Sequence, residues 1–259
     1  MYAVLAPAKT LDLSPSPIAP RAPRFLDEAA QIVDALRSLD DRAFARVMDL
    51  GADRAAALRT ELDAFDVSLD AAVPAVHAFA GAVYRGLLGR TLDADALLWA
   101  DDRVGIVSAV YGILRPLDGV KAHRLEMSAR LAVGGARNLY AFWGAKITEA
   151  IAEATASHAD RSVIDLASEE YTRVLWPRAL GGPLVDCAFE SWSREAPTPR
   201  MIPTHARRAR GLMARFLIDE RLERPSELRE FDADGYMFVP ERSTPSRMVF
   251  AREMRDDAS

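Results

Sequence analysis

Short apolar runs separated by amphipathic helical stretches predict a mixed α/β protein, a single compact domain with a central sheet surrounded by helices. Three observations carry this reading. The runs Tyr2–Ala6, Val104–Ser108, Ser162–Ala167 and Leu184–Phe189 are short and nearly continuous in apolar residues, as strands covered on both faces are. Helical periodicity fills the intervals between them. The 259 residues, 50% of them hydrophobic, can bury a substantial core, and no repeat, low-complexity tract or linker divides them. We expect one domain over residues 1–255 and a frayed tail at 256–259.

Tyr2–Ala6 reads as a buried strand stopped by Pro7. Ala8-Lys9-Thr10-Leu11-Asp12 follows its C-terminal end, where open sheets place ligand-binding loops. Four prolines between Ser14 and Pro23 predict an extended surface loop. From Arg24 to Ala100 the pattern is helical, broken at Asp40, Gly51 and Pro74, with Phe25, Ala29, Ile32, Val33 and Leu36 as a buried stripe. Asp93–Trp99 begins a capped helix. After the strand Val104–Ser108, the segment Ala109–Leu114 opens a helix or tight turn that stops at Arg115-Pro116, because the residue before proline avoids the α region. Asn138–Ala156 predicts a helix with Leu139, Phe142, Trp143, Ile147 and Ile151 inward. The strand Ser162–Ala167 leads into Ser168-Glu169-Glu170-Tyr171, with Ser168 placed to cap the next helix. Leu184–Phe189, Tyr236–Val239 and Met248–Ala251 supply the remaining strands.

Charge is distributed unevenly. The chain is acidic overall, with a net charge of −5, which excludes a general coating protein for nucleic acid. Between Arg200 and Arg224, however, seven arginines face three acids, so any anion site is local. Thr204–Leu222 reads as a helix. At ~100° per residue, Ala209, Leu212, Met213 and Phe216 form one apolar arc, with Arg208 and Arg215 nearly superposed beside it. Gly211 lies on the side away from that arc. It either opens a gap between arginines for a phosphate or permits close helix packing. The competing reading of the arginines is a solvated face paired with Asp219, Glu220 and Glu223.

Other chemistries find little support. The single cysteine, Cys187, lies in an apolar run, forms no disulfide framework and suits a reducing cytoplasm. His77, His123, His158 and His205 are isolated from one another, and no metal-ligand spacing, Walker loop or dinucleotide fingerprint occurs, so no metal or cofactor is expected. Gly134-Gly135 and Gly181-Gly182 read as turns. The apolar run before Pro7 is too short for a signal peptide or membrane span, and a cytoplasmic, soluble protein is expected. The oligomeric state is open, a monomer being the simplest expectation.

Eight segments in order resemble the YaaA family of bacterial peroxide-stress proteins: PAKTLD (Pro7–Asp12), FAGAVYRGL (Phe79–Leu87), YGILRPLD (Tyr111–Asp118), HRLEM (His123–Met127), LYAFWG (Leu139–Gly144), IDLASEEY (Ile164–Tyr171), ARGLMARFLI (Ala209–Ile218) and DGYMF (Asp234–Phe238). The resemblance implies a family-specific α/β fold, of the type named cantaloupe, with a positively charged cleft. It also implies binding to duplex and branched DNA (bubbles, junctions), a link to repair and recombination, and protection against peroxide stress. A helix-hairpin-helix element is further implied. Val110–His123 is its best local match, with Leu117–Val120 as the hairpin, although Lys121 stands where a second hairpin glycine is expected. Thr204-His205 stands where the family pattern has aromatic residues.

Within those motifs, Lys9, Arg115, Lys121, Arg124, Arg207, Arg208, Arg210 and Arg215 form the candidate nucleic-acid-binding set, since phosphate contact needs long cationic side chains. Lys9, Glu126, Glu169 and Tyr171 are candidates for catalysis. These three acidic or phenolic groups, with Glu170, either orient the arginines or do acid–base work. Three functions therefore stand side by side. The first is a structure-preferring DNA-binding protein, since no recognition helix offers Asn or Gln to base edges. The second is an enzyme acting on a nucleotide, nucleobase or damaged DNA, and the third is a structural partner of repair proteins. Whether the protein is an enzyme is left open by the sequence.

Overall fold

The N-terminal apolar run forms strand β1 (Tyr2–Leu5), which sits in the middle of the sheet and is buried on both faces. The structure is a computed structural model that describes residues 1–195 and 198–254; the expected C-terminal tail lies outside the described residues. Strands β2 (Val104–Ser108), β3 (Gly112–Leu114), β4 (Val163–Leu166), β5 (Leu184–Trp192), β6 (Met237–Phe238) and β7 (Arg247–Glu253) complete a seven-stranded sheet in the order β6-β7-β5-β4-β1-β2-β3. The five inner strands are parallel, with Ala3 beside both Val104 and Ile164, and Asp165 beside Asp186. The edge strands β3 and β6 run antiparallel. The near-continuous apolar runs are those of a sheet covered by helices on both faces.

The connectivity fixes where a site can form. From β1 the chain moves outward to β2, whereas β4 returns to the opposite side of β1 and β5 and β7 continue away. This reversal leaves a crevice beyond the carboxyl ends of β1 and β4, the usual ligand position in open α/β sheets.

The breaks anticipated in the helical region are real. Asp40 caps the helix Asp41–Met48, its side chain accepting from the Ala43 amide at 2.7 Å. Asp93 caps Ala94–Arg103 in the same way through Ala96, and Gly51 precedes Ala52–Asp63. Trp143 is fully buried and donates from its indole to the Ala109 carbonyl at 3.0 Å, while Phe142 is only half-buried. The stretch expected as one helix over Asn138–Ala156 is two, Leu139–Trp143 and Lys146–Ala154, because Gly144 (φ 48°) turns the chain between them.

The helix-hairpin-helix expected at Val110–His123 is not formed. The segment holds a β-hairpin, with Val107 opposite Ile113 and Ser108 opposite Gly112, followed by a short strand, Gly119–Val120, paired with Val73–Pro74. Two physical causes are evident. Pro116 ends any helix before it, and the side chains of Ile113, Leu114, Leu117 and Val120 are claimed by the core. Asp118 accepts from the Arg115 amide at 2.8 Å, closing a turn whose backbone faces protein rather than a phosphate.

The arginine helix, Pro203–Asp219, begins with proline at its first turn. Its buried residues, Ala206, Ala209, Gly211, Met213, Ala214, Leu217 and Ile218, span a much wider arc than the stripe expected, because it is wedged between the sheet and the helix Ala82–Leu87. Gly211 is a packing glycine. A Cβ there would stand 1.8 Å from the Val83 carbonyl oxygen, and one on Gly86 would stand 2.4 Å from that of Arg208.

Candidate functional site

A cleft of about 430 Å³ opens at the crevice the topology creates. Ala6–Thr10 descends from the end of β1, Ser108 ends β2, Leu166 ends β4, and Ser168, Glu170 and Tyr171 follow it. Ala80–Tyr84, His123–Glu126 and the helix residues Arg207 and Arg210 close the remaining walls. A wider groove of about 820 Å³ lies elsewhere, between Asp160 and Glu220–Glu230. It sits near the amino end of β4 and is dominated by carboxylates (Asp160, Glu220, Glu223, Glu227, Glu230), so neither its position nor its charge suits an anion.

Lys9, Arg124, Arg207 and Arg210 are brought together in the cleft. Lys9 pairs there with Glu126. Arg115, Lys121, Arg208 and Arg215 are not among the lining residues, and each is tied to a carboxylate. Arg115 holds Asp118 at 2.7 Å, Lys121 holds Asp66, Arg208 faces Asp234 at 3.8 Å, and Arg215 grips Asp219 at 2.7 Å while donating to Thr91 Oγ1 at 2.6 Å. Of the catalytic candidates, Lys9, Glu126 and Tyr171 line the cleft and Glu169 does not.

Arg210 is the most unusual of these groups. It lies near the centre of the helix's buried arc, above Asp165 and Asp186 of the neighbouring strands β4 and β5, and its Nε has no hydrogen-bond partner. Burial lowers its pKa, opposed by the fields of Asp165 and Asp186. Removing a guanidinium from water without a hydrogen-bonded counter-charge is costly. Asp165, buried beneath, has its carboxyl pushed up to about 6 by desolvation, against the pull of hydrogen bonds from Thr172 Oγ1 (2.7 Å) and the Ala167 amide (2.9 Å). The arginine is thus shared between carboxylates behind it and the cleft in front.

The remaining walls are aromatic and polar. Burial raises the phenols of Tyr84 and Tyr171, so both are hydrogen-bond donors rather than bases at neutral pH. Tyr84 spends its proton on the Ala6 carbonyl at 2.9 Å. His123 donates from Nδ1 to the Lys121 carbonyl at 2.7 Å and packs edge-on against Phe79 and Tyr111; burial lowers its pKa, leaving a neutral ring with Nε2 as an acceptor. Glu170 is oriented by Ser128, whose amide and hydroxyl both donate to Oε1. Ser168 occupies the N-cap position of Glu169–Thr172, but its side chain makes no capping hydrogen bond and lines the cleft instead. Ser108, Tyr84, His123 and Ser168 are among the lining residues that sequence reasoning did not select as site residues. Ser108 had a readable signal, because it ends a strand just as Lys9 follows one.

Among the described residues no group of three or more His, Cys, Asp or Glu side chains is placed to hold a metal ion. Nor is any described helix long and apolar enough to cross a membrane. Cys187 is fully buried in β5 and burial pushes its thiol well up.

Fold and cleft together define an α/β protein with a cationic pocket at the switch point of a mostly parallel sheet. The chain belongs to the Peroxide stress protein YaaA family, whose model matches residues 1–242. It is 43% identical over 255 residues to a UPF0246 protein of Phenylobacterium zucineum, covering 97% of this chain and 95% of that one. It is 40% identical over 258 residues to a UPF0246 protein of Paracidovorax citrulli, covering 98% and 99%. A UPF0246 protein of Caulobacter vibrioides is 39% identical over 254 residues, covering 97% and 99%.

Proposed function

We propose that this protein binds DNA through the cleft, engaging phosphate with Lys9, Arg124, Arg207 and Arg210, and that this binding serves repair during peroxide stress in the cytoplasm. The observation that carries the reading is Arg210, a desolvated guanidinium on the cleft wall with an unpartnered Nε, set beside the exposed Arg207. Neither arginine makes an ion pair with a described residue, in contrast to Arg115, Arg208 and Arg215 outside the cleft. Bubbles and junctions suit a local concave site better than regular duplex, because their distorted backbones can enter it.

Titration of purified protein with fluorescent duplex, bubble and junction DNA at low salt tests the reading, with Arg124→Ala/Arg207→Ala alongside. Binding that favours the branched substrates and falls at least 10-fold in the variant supports it, as loss of charge-assisted contacts should. Absence of binding to any of the three at low salt would refute it. Unchanged binding in the variant would place DNA elsewhere and favour a structural role for the cleft.

A second reading, an enzyme acting on damaged DNA, is favoured by the Lys9–Glu126 pair lining the same cleft. The amine of Lys9 would condense with the aldehyde of a ring-opened abasic sugar, releasing water, while Glu126 takes up and returns protons. Borohydride reduction of a mixture with abasic DNA should then leave a covalent adduct that Lys9→Ala abolishes; no adduct with Lys9 intact removes this version.

A further inference from the structure

The cleft carries more chemistry than phosphate binding requires. Glu126 and Glu170 both line it, and a carboxylate repels a phosphate. Glu170 is fixed by two donors from Ser128 to a single oxygen, so it is held in place rather than free to swing away. Three rings, those of Tyr84, Tyr171 and His123, line it as well, and His123 is itself steadied by Phe79, Tyr111 and the Lys121 carbonyl. At about 430 Å³ the cleft falls in the size class of small-ligand pockets, ~300–1,000 Å³, and is too small to admit a duplex. Cations, ring surfaces and fixed acceptors in a volume of this size match a ligand with an anionic end, a flat ring and N–H donors.

We infer that the cleft is a mononucleotide-unit site: its cations take one phosphate, and its rings and carboxylates take the attached base, with a preference for bases bearing an exocyclic amine. The inference rests on reading the cleft as the phosphate site. Arg207 and Arg210 lie on one helix and would hold the phosphate oxygens. Tyr84, Tyr171 and His123 line the wall against which the base would lie, a contact open to any base. Glu170, and Glu126 beside its pair with Lys9, are acceptors only and distinguish among bases, since an amino group on adenine, cytosine or guanine donates to a carboxylate and thymine has no such group. The unit can come from a free nucleotide or from a nucleotide turned out of a DNA bubble, and both present the same chemistry.

Calorimetric titration of the full-length protein with dGMP, dAMP, dCMP, dTMP and inorganic phosphate separates the possibilities. Saturable 1:1 binding of the three amino-bearing nucleotides, roughly 10-fold tighter than dTMP or phosphate, is expected for one added charge-assisted hydrogen bond. Glu126→Gln and Glu170→Gln should each narrow that difference, while the exposed-face variant Arg207→Ala weakens all five ligands together. Equal affinity for phosphate and every nucleotide would overturn the inference, reducing the cleft to an anion site. Competition then identifies the source. Displacement of bubble DNA by dGMP assigns the site to a nucleotide of the DNA chain, and dGMP binding without displacement assigns it to a free nucleotide. DNA binding with no nucleotide binding overturns this inference and leaves the DNA reading intact; nucleotide binding with no DNA binding does the reverse.

Discussion

Gly211→Ala tests the packing of the arginine helix, because the two roles open to that glycine predict opposite signs. If Gly211 merely left a gap between arginines, alanine would stabilise the helix by ~1 kcal/mol through propensity alone. The structure places its missing Cβ 1.8 Å from the Val83 carbonyl oxygen and 2.9 Å from the Leu87 nitrogen. Both are backbone atoms, so no rotamer relieves the clash and the two helices must separate. Overpacking of this severity belongs at the upper end of the usual range, ~3 kcal/mol. Set against the propensity gain, the net loss is about 2 kcal/mol, or roughly 4–8 °C in Tm for a protein of this size. Chemical and thermal denaturation followed by circular dichroism would measure it. Gly51 is the control: it is an N-cap with open space around its missing Cβ, so Gly51→Ser should gain a few tenths of a kcal/mol. An unchanged or raised Tm for Gly211→Ala would refute the close helix crossing.

Burial pushes the Asp165 carboxyl up to about 6 in the folded state, above the ordinary 3.8, so the folded state holds the extra proton between these values. Stability from this group is therefore fully present below about pH 4 and lost as pH rises through 6, a change on the order of 3 kcal/mol that Asp165→Asn should flatten in denaturant titrations. Protonation also frees Arg210, so affinity for a non-titrating anion such as sulfate should rise as pH falls from 7 to 5; because His123 contributes with the same sign, the part lost in Asp165→Asn is the relevant one. Ser168→Ala should change stability by less than ~0.5 kcal/mol, since its side chain caps nothing, whereas Asp93→Ala should cost ~1 kcal/mol; equal losses by urea denaturation would contradict the assigned caps. Cys187 should react with a thiol reagent only after unfolding, and fast labelling of the native protein at neutral pH would contradict its full burial in β5.

The sheet was legible in the sequence because parallel strands are apolar on both faces, and each predicted run became a strand within a few residues of its expected bounds. Lys9 was legible for a topological reason, as it follows the end of the first strand. The helix-hairpin-helix implied by the resemblance is not formed at Val110–His123, where Pro116 ends any helix and Gly119–Val120 pairs with the distant Val73–Pro74; the proline is visible in the sequence and the pairing is not. Two of the four cations outside the cleft lay beyond local reasoning for a similar cause. The Arg215–Asp219 pair is a helical i,i+4 neighbour and visible in the sequence, but Asp66 reaches Lys121 and Asp234 reaches Arg208 only through the fold. Ser168 filled the expected cap position without making the cap, a difference of side-chain orientation that spacing does not encode.

The measurement closest to the central claim is the salt dependence of bubble-DNA affinity for the wild-type protein, Arg207→Ala and Arg115→Ala. Each cation that neutralises a phosphate contributes close to one unit to the slope of log K against log salt. The cleft account predicts a slope shallower by about 1 for Arg207→Ala and a slope parallel to wild type for Arg115→Ala, whose guanidinium is committed to Asp118. Equal changes in both variants, or none in Arg207→Ala, would contradict it.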